Sequence, residues 1–173
     1  MAACPSCGQE NPAGARFCQA CAAPLTHAPA AHEVRKTVTV VFSDIVDSTP
    51  LGERLDPESL RRVVWRFFAE MRAALEAHGG TVERFAGDDV MAVFGVPTLH
   101  EDDALRAVRA ADEMRQRLAV LNDELRSAYG VELETRVGIN TGPVVAGRAD
   151  ALTLATGDAV NVGKRIQQAA EPG

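Results

Sequence analysis

The pattern of apolar and polar positions changes abruptly at Thr37. From there the run TVTVVFS carries apolar residues on both faces of an extended chain, which predicts a central strand covered on two sides. The preceding residues 26–36 belong to a stretch rich in alanine and proline without periodicity, which is typical of a linker. The main folded region is therefore predicted to span residues 37–173.

Apolar residues at helical spacing predict two long helices. One runs from Pro57 to His78 and ends at Gly79 and Gly80, and the other covers residues 101–128, which open with the acidic residues EDD. A third helix is predicted over residues 157–170. The apolar positions of the two long helices are Leu60, Val63, Val64, Phe67, Phe68, Met71 and Leu75, and Leu105, Val108, Met114, Leu118, Leu121 and Leu125.

Three further segments are predicted strands. TVERFA and VMAVFG flank the turn residues Gly87, Asp88 and Asp89, which indicates a hairpin. VELETRVGIN alternates like a half-buried strand, and GPVVAG either extends or bends it. The order strand, helix, strand, strand, helix, strand predicts an α+β domain with a ferredoxin-like βαββαβ topology, in which helices form one layer and the sheet the other.

The four cysteines form two C-x-x-C pairs near the N-terminus, Cys4 with Cys7 and Cys18 with Cys21. Two such turns can close a tetrahedral four-sulfur shell around one Zn²⁺ ion, and a segment this short gains most of its folding free energy from the metal. Residues 1–25 are therefore predicted to be a zinc ribbon with a structural or adaptor role, able to bind a protein partner. Disulfides or a redox pair are the alternatives.

Composition excludes some classes of partner. The formal net charge is −6 and the pI is about 5.2, so nothing draws the whole chain toward a nucleic-acid backbone or an anionic membrane. No run approaches the roughly 18 apolar residues of a membrane span, and the N-terminus does not resemble a secretory signal. These features predict a soluble, cytoplasmic protein. Nucleic-acid binding through the ribbon would need an aromatic and basic surface that the sequence does not supply.

Two aspartates are candidate metal ligands. Asp44 ends the first predicted strand and Asp88 lies in the hairpin, so the topology can bring the two carboxylates together around a divalent cation. Either residue alone is typical of a turn or a helix cap. Ser48 and Thr49 add cap-like hydroxyls, and the successive amides from Ile45 to Thr49 can cradle phosphate oxygens at a helix start.

Four ordered blocks resemble the signatures of class III nucleotidyl cyclases, the adenylate and guanylate cyclases. They are VTVVFSDIVDST, HGGTVERFAGDDVMAVFGVP, RVGINTGPVVAG and TGDAVNVGKRI, and together they extend over residues 35–173. The preceding CPSCGQENPAGARFCQACAAPL is similar to the short zinc ribbon found before such domains in some bacterial multidomain proteins.

The resemblance implies a role for each matching residue. Asp44 and Asp88, with the carbonyl of Ile45, correspond to the ligands of two Mg²⁺ or Mn²⁺ ions on a nucleoside triphosphate. Asn161 and Arg165 correspond to the pair that orients the ribose and stabilises the transition state. The family's site forms between two chains, which implies a head-to-tail homodimer with two sites. The implied reaction converts ATP to 3′,5′-cyclic AMP and pyrophosphate in signal transduction.

The chain departs from the family's pattern at three points. Arg84 and Leu154 stand at the positions with which family members recognise the purine base. Because a leucine side chain cannot hydrogen-bond a base, the choice between ATP and GTP stays open. The sequence also ends before the family's last strands, which is expected of a domain truncated at its C-terminus. A degenerate cyclase-like module that binds nucleotide or only dimerises, and regulates an attached domain, is the alternative function.

Four other side chains carry expectations that the structure can test. Lys36 and Lys164, the two lysines of the chain, are predicted to lie on the surface. Asp89, beside the metal-ligand candidate, is predicted to be solvated or bound to backbone. Trp65, on the first long helix, is predicted to be a core or dimer contact.

Overall fold

A computed structural model of the chain describes residues 2–4, 6–12, 15–23, 25, 34–86, 89–149 and 152–173. Only the backbone is described at Ala2, Val34 and Thr49 and over residues 84–86, 146–149 and 152–156. The chain forms two compact units, Met1–His32 and Glu33–Gly173.

The smaller unit is built on two short strands and two tight turns. Strands β1 (Ala2–Ala3) and β2 (Glu10–Asn11) pair antiparallel. In the first turn the amide of Gly8 donates to the carbonyl of Cys4 at 2.8 Å, and in the second the amide of Ala22 donates to the carbonyl of Cys18 at 2.9 Å. Each C-x-x-C pair is thus held on its own hydrogen-bonded turn.

The larger unit alternates strands and helices. Its elements are β3 (Val34–Ile45), α1 (Ser48–Arg54), α2 (Pro57–Ala77), β4 (Thr81–Ala86), β5 (Asp89–Phe94), α3 (Asp103–Tyr129), β6 (Thr135–Ala149), β7 (Leu152–Thr156) and α4 (Asp158–Ala169). The side chain of Asp56 caps α2 by accepting from the amides of Glu58 and Ser59, and Gly130 ends α3 in the left-handed region at φ 65°. None of the helices in the described part of the chain combines a bilayer-spanning length with the apolar character that a bilayer requires.

The sheet confirms the predicted topology. Its strand order is β4-β5-β3-β6-β7, and the paired neighbours are antiparallel. Strands β3, β4, β5 and β6 have the ferredoxin-like arrangement, and β7 adds an edge strand beside β6. As predicted, β3 is central, with β5 on one side and β6 on the other.

One face of the sheet packs against α2 and α3. Val41 and Ile45 of β3 point into this layer, where both are buried. The long helices contribute every third or fourth residue, so each presents a narrow apolar stripe to the sheet. The buried members of these stripes include Val63, Phe67, Met71 and Leu75 of α2, and Ala107, Ala110, Met114, Leu118, Leu121 and Leu125 of α3.

The opposite face packs against α4, so the domain has a third layer in addition to the two predicted. Gly163 of α4 lies directly on β3, because a Cβ there would stand 2.8 Å from a methyl carbon of Val40. Gly138 of β6 makes the matching contact, since its Cβ would collide with the backbone of Gly163 and Gln167. The backbone of α4 therefore lies directly on the backbone of β6 at Gly138, and on the side chains of Val40 and Phe42 at Gly163.

Some predicted core positions are exposed. Trp65 is 70% exposed, Val108 55% and Leu105 48%, so the interpretation of Trp65 as a core residue is wrong. The buried stripes of α2 and α3 pass through other positions of the helical turn, and these three side chains lie beside the stripes.

Several boundaries differ from the predicted ones. β3 begins at Val34 instead of Thr37, because its first residues pair with β6 from Val34 to Ala146 onward. β6 begins at Thr135 instead of residue 131, and GPVVAG extends it without interruption to Ala149. Asn122 binds the backbone of Leu133, which occupies groups that a strand ladder would otherwise use. The sequence did not predict β7, and of α1 it predicted only a helix start near Ser48 and Thr49.

Candidate active site

Asp44 is half-buried near the end of β3, on the face covered by α4. In the strand register it stands directly opposite Asp89 on β5 and directly opposite Arg136 on β6. Side chains opposite each other in an antiparallel pair share a face, with Cβ atoms about 4.5–5.5 Å apart. Three ionisable side chains therefore form a row across the end of the sheet, with Asp44 in the middle.

Asp89 is engaged by a cation from α4. The Lys164 ammonium donates to both carboxylate oxygens of Asp89 at 2.8 Å, and the two side chains are only 30% and 20% exposed. The ammonium also lies 5.8 Å from the centre of the Phe42 ring. The expectations of a solvated Asp89 and a surface Lys164 are both wrong, because a contact across 75 positions of sequence leaves no local signal.

Arg136 is the site's other cationic neighbour. Its Nε atom is buried and makes no hydrogen bond within the described part of the chain. The residue opens the RVGINTG block, which resembles a family signature, but the sequence alone gave no signal for a role of Arg136. Its place in the register opposite Asp44 is what brings it to the site.

Asp88 lies outside the described residues, so its predicted meeting with Asp44 stays a prediction. The strands on either side of it end at Ala86 and Asp89, which pair with each other. Asp88 is therefore one residue along the chain from a position that faces Asp44.

The segment after β3 leads directly into a helix, as predicted. Ile45 is buried at the end of the strand, and Ser48 is the first residue of α1. The N-cap is Asp47, at a φ of 51°, and its side chain makes no capping hydrogen bond. Ser48 is thus a helical residue and not the cap, and the side chain of Thr49 lies outside the described residues.

Asn161 and Arg165 are both exposed, one turn apart on α4, which agrees with the predicted common face. Arg165 borders an open cleft of about 490 Å³ together with Val162 and Ile166. The helix start is anchored by Asn140, whose amide group donates to the carbonyl of Ala159 at 2.9 Å. Lys164, between Asn161 and Arg165, turns inward to Asp89.

The two candidate base-reading positions lie on opposite edges of the sheet. Arg84 pairs with Met91 just after a bulge in β4, and Leu154 pairs with Gly147 in β7. Their side chains lie outside the described residues, so the predicted effect of both on base selection stays a prediction.

The donor atoms at the end of β3 fit a hard divalent cation. The Asp44 carboxylate and the Ile45 carbonyl offer oxygen, the ligand that Mg²⁺ and Mn²⁺ prefer. Asp88, if it joins them, adds a second carboxylate.

The cysteines of the smaller unit form a compact sulfur cluster. The four Sγ atoms lie within 4.8 Å of one another, with Cys4 to Cys21 and Cys7 to Cys18 at 3.6 Å. Zinc–sulfur bonds of about 2.3 Å place tetrahedral sulfurs near 3.8 Å apart, whereas a disulfide needs about 2.05 Å. The cluster therefore fits a metal and not the alternative of disulfides.

Backbone amides favour the thiolate form at Cys18, whereas at Cys7 the lowering effect of the Gln9 amide is outweighed by the neighbouring thiols of Cys21 and Cys18, which raise the pKa. The amide of Cys21, followed by that of Ala20, lowers the pKa of Cys18 to about 6 despite its burial. Gly8 and Ala22 both have positive φ, 75° and 57°, so Ala22 holds a conformation in which glycine would be easier.

The antiparallel ferredoxin-like sheet, with oxygen donors where its central strand ends, defines the larger unit as an α+β domain of the nucleotidyl cyclase class. The chain belongs to the adenylate and guanylate cyclase catalytic domain family, whose model matches residues 30–173. Residues 4–25 match a zinc-ribbon domain.

Curated relatives share this domain within much longer proteins. The chain is 34% identical over 137 residues to adenylate cyclase 1 of Rhizobium meliloti (strain 1021), covering 77% of the chain and 21% of that protein. It is 31% identical over 142 residues to an adenylate cyclase of Anabaena cylindrica, covering 76% and 27%. The chain thus spans about a quarter or less of the length of these relatives.

Solved structures of both nucleotide specificities are similar to the chain. The guanylyl cyclase Cya2 superposes with a TM-score of 0.76 at 34% identity, covering 81% of this chain and 73% of that one. The adenylyl cyclase CyaB from P. aeruginosa also gives a TM-score of 0.76, at 36% identity, covering 80% and 74%. The fold is therefore common to both specificities.

Proposed function

We propose that the larger unit is a nucleotidyl cyclase that converts ATP to 3′,5′-cyclic AMP and pyrophosphate. The observation that carries the proposal is the half-buried carboxylate of Asp44 at the end of the central strand, beside the carbonyl of Ile45. In the resemblance to the cyclase family, Asp44 corresponds to one of the aspartates that bind metal. The relatives described as adenylate cyclases support the same reaction.

Asp44, Asp88 and the carbonyl of Ile45 would hold two Mg²⁺ or Mn²⁺ ions, which supply positive charge against the triphosphate when bound. The amides at the start of α1 lie next to these donors in the chain and can bind phosphate oxygens. The ribose 3′ oxygen attacks the α-phosphate in line, and pyrophosphate leaves.

Asn161 and Arg165 act on the nucleotide held by a partner chain. Both side chains are exposed, whereas the cation that α4 turns toward its own sheet is Lys164. Asn161 orients the ribose, and the guanidinium of Arg165 stabilises the charge that develops on the phosphate. A head-to-tail homodimer then contains two sites, each with carboxylates from one chain and the Asn–Arg pair from the other.

ATP is the proposed substrate because relatives that are 34% and 31% identical to the chain are described as adenylate cyclases. The solved structures include a guanylyl cyclase with an equal TM-score, so GTP is tested alongside. Arg84 and Leu154 are proposed to decide between the two bases.

A catalytically degenerate module that binds nucleotide and regulates an attached domain is the second candidate function. Leu154 favours it, because a leucine side chain cannot hydrogen-bond a purine edge. Turnover by the intact protein separates the two candidates.

The smaller unit is proposed to hold one structural Zn²⁺ through Cys4, Cys7, Cys18 and Cys21. With four thiolates around it, the ion has no open coordination position for catalysis. Its proposed role is to stabilise a small surface that binds a protein partner.

Asp44→Ala tests the proposed reaction. The full-length protein, given ATP or GTP with Mn²⁺, is expected to form cyclic nucleotide, and Asp44→Ala is expected to lower turnover at least about 100-fold through loss of a metal ligand. Asp123→Ala, which removes an exposed carboxylate on α3, is the matched control. Thermal melting verifies that both variants fold.

Turnover of Asp44→Ala equal to that of the unsubstituted protein would rule out the assigned role of Asp44. Absence of product with either nucleotide from the folded full-length protein would favour the degenerate module.

A further inference from the structure

The ion pair between Lys164 and Asp89 differs from the surface pairs of this domain. Arg66 and Glu124, which bridge α2 and α3, are 54% and 55% exposed, and such pairs contribute little to stability. Lys164 and Asp89 are 30% and 20% exposed, and the ammonium contacts both carboxylate oxygens at 2.8 Å. Both oxygens of Asp89 are thus already engaged.

The pair stands beside the proposed metal ligands. Asp89 faces Asp44 across the strand pair and follows Asp88 in the chain. Like charges directly opposite each other in a sheet repel, so a cation on Asp89 removes one of the negative charges from this end of the sheet. Arg136 stands on the other side of Asp44, and the Phe42 ring lies next to the ammonium.

We propose that Lys164 is a positioning residue that holds the Asp89 carboxylate away from a divalent cation bound at Asp44. This inference rests on the proposed function, because it assumes that Asp44 binds metal. It adds to that function a residue on α4 that controls metal binding within its own chain. The neighbouring residues Asn161 and Arg165 are proposed to act on the nucleotide bound by the partner chain.

The physical basis is competition for one carboxylate. Asp89 stands directly opposite Asp44 in the strand register, where Cβ atoms lie about 4.5–5.5 Å apart, so the two carboxylates can share one ion. A free carboxylate at this position would add a ligand for a divalent cation in the absence of nucleotide. With the ammonium bound to both oxygens, Asp89 contributes neither a ligand nor a net charge. Metal affinity in the absence of nucleotide is then set by the remaining oxygen donors at Asp44, and a bound triphosphate adds its own oxygens.

The test measures Mn²⁺ binding without nucleotide, from the electron paramagnetic resonance signal of free Mn²⁺ in titrations of the full-length protein. Lys164→Met keeps the apolar stem and removes the charge, and is expected to tighten Mn²⁺ binding about 3- to 10-fold. Asp89→Asn leaves an unpaired ammonium, and is expected to weaken binding by a similar factor. The double variant removes both charges, and is expected to return to within about twofold of the unsubstituted protein.

Two further variants make the result specific. Lys36→Met removes the other lysine, which is half-buried and donates to the carbonyl of Pro97, and is expected to leave Mn²⁺ affinity unchanged. Lys164→Arg keeps the cation, and is expected to bind Mn²⁺ as the unsubstituted protein does. Circular dichroism melting confirms the folded state of each variant, and Asp89→Asn provides an independent test should Lys164→Met fail to fold.

The inference is overturned if Lys164→Met and Asp89→Asn both bind Mn²⁺ within twofold of the unsubstituted protein, or if the double variant keeps the tight binding of Lys164→Met. Those results, together with loss of Mn²⁺ binding in Asp44→Ala, refute the role of Lys164 and leave the proposed function intact. Full Mn²⁺ binding by Asp44→Ala refutes the metal site itself, and with it both proposals.

Discussion

Asn122 is a buried amide of α3 that binds the chain segment leading into β6. Its side-chain oxygen accepts from the amide of Leu133 at 2.9 Å, and its nitrogen donates to the carbonyl of the same residue at 2.8 Å. Asn122 is 6% exposed and Leu133 2%, so water has little access to these groups. One polar side chain therefore satisfies a donor and an acceptor of buried backbone.

Asn122→Ala is expected to lower the free energy of unfolding by about 1–3 kcal/mol, because it leaves the amide and the carbonyl of Leu133 buried without partners. Urea unfolding of the full-length protein measures the change. Gln116→Ala on the exposed side of α3 is the control, with an expected change below about 0.5 kcal/mol. Equal midpoints and slopes for Asn122→Ala and the unsubstituted protein would contradict this explanation of the buried amide.

The ribbon shows how an element too small for an apolar core can be organised. Its two turns repeat the same hydrogen bond, and Cys4 and Cys18 are buried while Cys7 and Cys21 are exposed. Amide donors favour the thiolate at Cys18, which is the form that binds metal. The folding of this unit is therefore expected to depend on zinc.

Metal analysis of the purified protein is expected to find about one zinc per chain. Cys4→Ser/Cys18→Ser removes one ligand from each turn and is expected to abolish this zinc, since two remaining thiolates hold the ion far less tightly. Phe17→Ala, which alters an exposed neighbour of Cys18, is the control and is expected to keep the metal. Full occupancy in the double serine variant would refute the ligand assignment.

Elements with strong internal periodicity were predictable from the sequence, and those that depend on distant partners were not. The stripe from Val63 to Leu75 defines α2 by itself, whereas the first residues of β3 are strand only because β6 is long enough to pair with them. The same distinction holds in the site. Asp44 was identified from its place at a strand end, but the engagement of Asp89 by Lys164 required knowledge of how α4 lies on the sheet.

At the scale of the whole molecule, the two candidate halves of the site differ in exposure. Asp44 is half-buried at the end of the sheet, and Asn161 and Arg165 are exposed on α4. A second copy of the chain in head-to-tail orientation would bring each half to its complement. A closed dimer with two-fold symmetry then has two equivalent centres.

Mixing two inactive variants tests this arrangement. Asp44→Ala and Arg165→Ala chains are each expected to be inactive as homodimers, whereas a mixed dimer contains one site with both defects and one intact site. Random reassociation of equal amounts is expected to restore about a quarter of the activity of the unsubstituted dimer. Cyclic nucleotide formation after joint unfolding and refolding measures this recovery.

Failure of the mixture to regain activity, with mixed dimers demonstrated by differently tagged chains, would show that each chain builds its site alone. Asp44→Ala mixed with Asp44→Asn is the control, and is expected to recover nothing because both chains lack the same half.

The bare contact of Gly163 and Gly138 has a mechanical consequence. Where these two glycines meet, no side chain separates the backbone of α4 from that of β6, so a shift of the helix by about one ångström toward the strand would force atoms into overlap. We therefore expect α4 and the sheet to move together as one rigid body when the proposed dimer closes around a nucleotide. The change in conformation then takes place at the interface between the two chains.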